Sequence, residues 1–291
     1  MLARIAFLTL PLVCIRTAEG QVLPAAAHAW DASHDLNNDG KWNDMGVPGG
    51  LDWVLSGPDG ANSAGPARIP VSSSTVITHA FEFDGVDDAG FAASENRAGN
   101  HDTTFEFWFR PASTVPTGMA TIFEHGNSPR GVTLGISGDT VRFIYGSNPD
   151  SALLSFDLDV NDDGLDRLDF TQVIGVVDDT RDQLRMYVNG ANEQSISLAT
   201  GANDFTSNDD LGLGQNQGLG GGGQAGSGFT PTISFAGQIA VIREYRTAFG
   251  AAEAQQSFSA MMVPEPVSGV SIWGTVVALV VGWRNRSNVS G

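Results

Sequence analysis

Thr103-Thr104-Phe105-Glu106-Phe107-Trp108-Phe109-Arg110 carries the clearest strand signature in the chain. Its apolar rings recur every second residue, so Phe105, Phe107 and Phe109 share one face of an extended chain, as in a strand that buries that face. Outward from it the same period returns at 173–177 and 184–188. Asn189-Gly190 then marks a tight hairpin into 195–198, because both residues tolerate the positive φ that a two-residue loop demands. Further strands are expected at 76–83, 120–124, 132–136, 141–145, 153–156 and 238–245, and only 251–258 reads as a short helix. Many short strands with turn signals between them argue an all-β antiparallel sandwich.

Two segments interrupt the pattern. Residues 31–65 are polar and rich in Gly and Pro, and read as a long decorated loop anchored by Trp42 and Trp53. Residues 203–228 are richer still in Gly and read as a flexible loop. No internal repeat divides the chain, so one domain is expected over 21–262, with its core at 75–258.

The two ends read as addresses. Arg4, the apolar run 5–15 and the small residues Ala18 and Gly20 make residues 1–20 a secretory signal peptide. At the other end, Val263-Pro264-Glu265-Pro266 precedes the uncharged segment 267–283, which stops at Arg284 and Arg286. At about 1.5 Å per residue that segment just reaches across roughly 30 Å of hydrocarbon. It is expected to be one transmembrane helix, with the arginines on the cytoplasmic side.

The only cysteine, Cys14, lies inside the signal, so the exported chain has no disulfide and no thiolate metal site. The net charge of the whole chain is −18, and Lys41 is its single lysine. Setting aside Arg4, Arg16, Arg284, Arg286, Glu19 and Glu265 in the terminal segments makes the remainder more acidic still. Such a surface repels nucleic acid and favours divalent cations.

At this point the residues resemble a known family. Ala80-Phe81-Glu82-Phe83-Asp84-Gly85-Val86-Asp87-Asp88 is similar to the strand and turn that open laminin G-like domains. Phe105-Glu106-Phe107-Trp108-Phe109-Arg110-Pro111 resembles the next family strand. The stretch from Phe170 to Asp178, with Leu184 to Gly190, resembles the central hairpin, and Phe235 to Tyr245 the closing strand. Together they cover Thr75 to Phe258. The resemblance implies a concanavalin A-like jelly-roll sandwich, a class that hosts lectins, enzymes and adhesion modules alike. The tail, Val263 to Pro266 with its apolar segment and terminal arginines, resembles the PEP-CTERM sorting signal of Gram-negative bacteria. That likeness implies recognition by an exosortase and association with a polysaccharide matrix or biofilm.

Four sets of residues bear on chemistry. Glu82, Asp84 and Asp87 resemble the carboxylate strand of laminarinase-type glycosidases, which place two carboxylates about 5–5.5 Å apart. Here Gly85 interrupts the strand and the last member is the shorter Asp, so no catalytic residue is assigned. Asp35-Leu36-Asn37-Asn38-Asp39-Gly40 and Asp159-Val160-Asn161-Asp162-Asp163-Gly164 space oxygen ligands as a Ca²⁺ loop does. Gly46 and Phe170 stand where an EF-hand has its bidentate Glu, with Asp44, Asp166 or Asp169 as substitutes. The competing reading is an Asx-rich turn. The calcium set is thus Asp35, Asn37, Asp39, Asp159, Asn161 and Asp163. His28, His34, His79, His101 and His125 show no paired metal spacing and read as surface or turn residues. Trp30, Trp42, Trp53 and Trp108 are either sugar-stacking platforms or core anchors.

The function expected is that of an exported, non-catalytic surface or matrix protein binding polysaccharide or another matrix component. A passive coat protein without a specific ligand is the structural alternative, and a glycoside hydrolase the catalytic one.

Overall fold

The computed structural model describes residues 22–36, 39–46, 50–56, 65–73, 75–93, 102–112, 118–127, 130–147, 150–158, 169–198, 211–215 and 233–262. In chain order the strands are β1 (His28–Asp31), β2 (Lys41–Trp42), β3 (Trp53–Ser56), β4 (Ala67–Pro70), β5 (His79–Asp84), β6 (Ala89–Ala92), β7 (Thr103–Pro111) and β8 (Ala120–Asn127). They continue with β9 (Arg130–Ser137), β10 (Thr140–Ser147), β11 (Asp150–Asp157), β12 (Thr171–Asp178), β13 (Gln183–Val188), β14 (Ala191–Ser197), β15 (Leu211–Leu213), β16 (Ile233–Ser234) and β17 (Ala236–Tyr245). One helix, α1 (Ala251–Met262), follows. The signal segment 1–20 and the tail 263–291 lie outside the described residues. Among the described residues no helix is long and apolar enough to cross a membrane.

The strands form two sheets. The first runs β14-β13-β12-β7-β17-β5-β4, with β1 also paired to β17; the second runs β11-β10-β9-β8-β15-β6-β3-β2, with β16 also on β8. All pairings are antiparallel except that of β16 with β8. The expected antiparallel sandwich is therefore the fold. Its core lies between the sheets, where Phe105, Phe107 and Phe109 of β7 meet Phe123, Leu134 and Phe143 of the second sheet. Phe107 and Phe123 lie 5.0 Å apart between ring centres. Close approach of the sheets is strict at Gly175, where a Cβ would fall 2.4 Å from the Phe143 ring.

The outer face of the first sheet is not left to water. Helix α1 lies on it, stacking Phe258 parallel to Trp108 at 5.8 Å. This explains why β7 is buried on both faces although its sequence alternates. The turn at Asn189 and Gly190 has φ of 51° and 69°, the left-handed pair the sequence predicted for a hairpin.

Two expectations need correction. Segment 31–65 is more than a loop, because β2 and β3 within it pair with each other, and β3 joins β6 to extend the second sheet. Trp42 and Trp53 are cross-strand partners with no exposed surface, which is how they anchor it. Likewise the segment read as a flexible Gly-rich loop contains β15, wedged between β6 and β8. The sheets thus begin well before residue 75, since β1 to β4 all belong to them.

Candidate functional site

Chain order scatters the strands that end each sheet, and the fold brings two of those ends together. β4 terminates the first sheet and β2 the second. Between them opens a pocket of about 360 Å³ lined by Gly40, Lys41, Leu55, Gly65, Pro66, Ala67, Arg68 and Phe81. The floor is held by ring packing, with Trp42 and Phe81 4.9 Å apart between centres. One wall is tied by the Leu55 N–H donating to the Gly40 carbonyl at 2.9 Å.

The two cations in the pocket differ in freedom. Arg68 donates from Nε to the Ala32 carbonyl at 2.6 Å and from Nη2 to that of Ser33 at 3.4 Å, which fixes its guanidinium plane. The Lys41 side chain is about half exposed and lies 4.0 Å from Asp52, at the outer limit of an ion pair. Chemically the pocket offers two positive groups, apolar walls and backbone edges, a composition suited to a small polar ligand with apolar faces.

Beside the pocket, Asp44 organises the segment that carries it. Its carboxylate accepts from His28 Nδ1 at 2.6 Å, and from the backbone N–H groups of Ala29, Gly46 and Leu51 at 3.0, 2.8 and 3.1 Å. Burial pushes its pKa up, but these donors outweigh burial and hold it below the ordinary value. Asp44 is thus a structural clamp, already engaged on both oxygens. His28 and His125, read from sequence as surface or turn residues, are in fact buried.

The calcium residues divide. Asp35 is buried and accepts from Asn43 Nδ2 at 3.0 Å, while exposed Asp39 accepts from the Lys41 N–H at 3.1 Å. Asn37, Asp159, Asn161 and Asp163 lie outside the described residues, as do Val263, Pro264, Glu265, Pro266, Arg284 and Arg286. The structure does gather another acidic group: Asp84, Asp87 and Asp88 hold carboxylate oxygens within 4.8 Å of one another. Local bonding accounts for that convergence. Asp84 Oδ1 accepts from the N–H groups of Val86 and Asp87 at 2.7 and 3.2 Å, and Asp88 Oδ2 accepts from that of Asp84 at 2.8 Å.

Glu82 stands exposed on β5, receiving Gln238 Nε2 at 3.4 Å. The strand ends at Asp84 and the chain turns at Gly85, whose φ is 78°. The three carboxylates of the glycosidase-like run therefore do not continue along one strand. Glu106 is the other notable carboxylate, and it has no exposed surface. The four tryptophans weighed as sugar platforms are at most 1% exposed, so all four are core.

Sequence reasoning did not find the pocket. Its lining comes from β2, β3, β4 and β5 and from the chain just before β2 and β4, and only the placement of Lys41 in an otherwise lysine-free chain hinted at it.

Comparison with known proteins agrees with this architecture. A model of the concanavalin A-like lectin/glucanases superfamily matches residues 84–255. No curated protein matches the chain in sequence. Among solved structures, the binding domain of botulinum neurotoxin serotype G is similar at a TM-score of 0.57 and 13% identity, over 80% of this chain and 50% of that one. The serotype D ligand binding domain in complex with N-acetylneuraminic acid is similar at 0.57 and 13%, over 81% and 50%. The chain spans about half the length of these binding domains.

Proposed function

Because the chain belongs to the concanavalin A-like lectin/glucanases superfamily, we propose that it is a non-catalytic binding protein whose ligand is a polysaccharide. The observation that carries the reading is the pocket between β2 and β4, a concave, partly charged opening at the edge of a lectin-type sandwich. The likeness in fold to a domain solved with N-acetylneuraminic acid supports a saccharide as the class of ligand. The glycosidase alternative is disfavoured by the break at Gly85 and by the complete burial of Glu106. Retention of the full chain on immobilised matrix polysaccharides tests the proposal. Binding to at least one is expected, and no retention on any of them would overturn it.

The protein is further proposed to be exported and sorted. The signal at 1–20, the motif Val263 to Pro266, the apolar segment 267–283 and the arginines at 284 and 286 support delivery to the cell envelope. An exosortase-type enzyme would then process the tail into a surface or matrix location. Mass spectrometry of the C-terminus of the protein recovered from cells decides this. A terminus near Pro266 is expected, and a chain that retains Arg286 would count against processing.

A further inference from the structure

We infer that the pocket between β2 and β4 recognises an anionic group on the saccharide, a carboxylate such as that of a uronic acid, with Lys41 and Arg68 as its receptors. The inference rests on the polysaccharide reading above and names the chemistry of the same site. The chain carries 15 lysines and arginines against 33 acidic residues, and its one lysine stands in the same pocket as Arg68. A surface this acidic repels polyanions at long range, so attraction has to be local. At physiological salt charges beyond about 8 Å are largely screened, which leaves the pair lining the pocket to act on a group inside it.

The two cations have complementary roles. Arg68 is oriented by the carbonyls of Ala32 and Ser33, and its Nη1 donates to no described acceptor. A planar guanidinium held in place suits a carboxylate better than a mobile charge would. Lys41 is the adjustable partner, about half exposed, with Asp52 at 4.0 Å as its ion-pair partner among the described residues. Exposed Asp39, whose carboxylate accepts the Lys41 N–H, adds negative charge next to the lining residues Gly40 and Lys41 and sharpens the need for direct contact. Leu55, Pro66 and Phe81 supply apolar wall against which the C–H faces of a sugar ring pack.

A single lysine allows a direct reading. The full chain would be acetylated with an amine reagent, alone and with polygalacturonate, dextran sulfate or neutral dextran, and Lys41 followed by peptide mass spectrometry. Polygalacturonate is expected to protect Lys41 and dextran is not. Lys41→Ala is expected to weaken polygalacturonate binding about fivefold, as loss of a half-exposed charge contact would. Asp52→Asn keeps the acceptor for the Asp44 N–H, releases Lys41 and is expected to tighten binding. Protection by dextran sulfate alone would keep an anion site here but overturn the carboxylate assignment. Binding to neutral polysaccharide with Lys41 equally reactive throughout would overturn the inference and leave the polysaccharide reading standing. Failure to bind any polymer overturns both.

Discussion

Glu106 has no contact with solvent, yet five side chains converge on it. Trp108 Nε1, Gln172 Nε2 and Ser257 Oγ donate to Oε1 at 2.7, 2.8 and 2.7 Å, the Tyr245 hydroxyl donates to Oε2 at 2.9 Å, and Arg243 lies 3.3 Å away. Burial pushes its pKa up, but Arg243 and the neutral donors outweigh burial and hold it below its ordinary 4.5. A depressed carboxylate contributes stability above the unfolded value, and that stability is lost as pH falls through the folded one. Glu106→Gln leaves Arg243 without its counter-charge and is expected to cost about 3 kcal/mol in denaturant unfolding at neutral pH. The gap between variant and parent should narrow as pH drops below 4.5. A constant gap across that range would show that the charge is not what stabilises the network.

Asp88 is the opposite case. Burial, then the nearby charges of Asp84, Asp87 and Glu82, push it up to about 6 against one bond from the Asp84 N–H. Between its ordinary 3.8 and about 6 the folded state holds the extra proton, so stability falls as pH rises through that window. Asp88→Asn keeps an acceptor for the Asp84 N–H and removes the buried charge. It is expected to stabilise the fold by about 1–2 kcal/mol at pH above 7 and to have little effect near pH 4. Thermal melts at the two pH values decide it, and equal effects at both would sink the assignment.

At the scale of elements, the close contact of the sheets makes Gly175 exacting. Gly175→Ala on β12 would drive a methyl group into the Phe143 ring of β10, and overpacking of this kind costs about 1–3 kcal/mol. Phe143→Leu should restore part of the loss in the double variant, and simple additivity of the two costs would argue against the contact. How legible an element was depended on its length. Strands of six residues or more, such as β7, β12 and β13, show enough of the period of two to be read directly. β2, β3 and β15 have two, four and three residues, too few for a period to emerge among the glycines and prolines that flank them. The alternation in β7 identified its inward face through Phe105, Phe107 and Phe109. It gave no sign that α1 would bury Trp108 on the other face, because that burial depends on a helix more than a hundred residues away in the chain. The pocket was illegible for the same reason: Lys41, Arg68 and Phe81 meet only after both sheets have formed.

For the molecule as a whole, the excess of acid invites cations. The calcium proposed at Asp35, Asn37 and Asp39 and at Asp159, Asn161 and Asp163 would bind only the native chain, so it must raise the melting temperature. Melts in millimolar calcium and in excess EDTA are expected to differ, and coincident curves would remove the metal from the account. Individual substitution of Asp39 and Asp163 by Asn then tells which loop responds.

β17 sits between β7 and β5 and also takes β1 as a partner, so residues 236–245 stitch together strands from near the start, the first third and the end of the domain. While the chain is being made, the first sheet consequently lacks its keystone until almost all of the domain has emerged. Contacts between such distant segments form late, because the loops they close are long. A ribosome-bound intermediate is left with open strand edges for most of its synthesis. Until β17 joins, those edges are free to pair with the wrong strand.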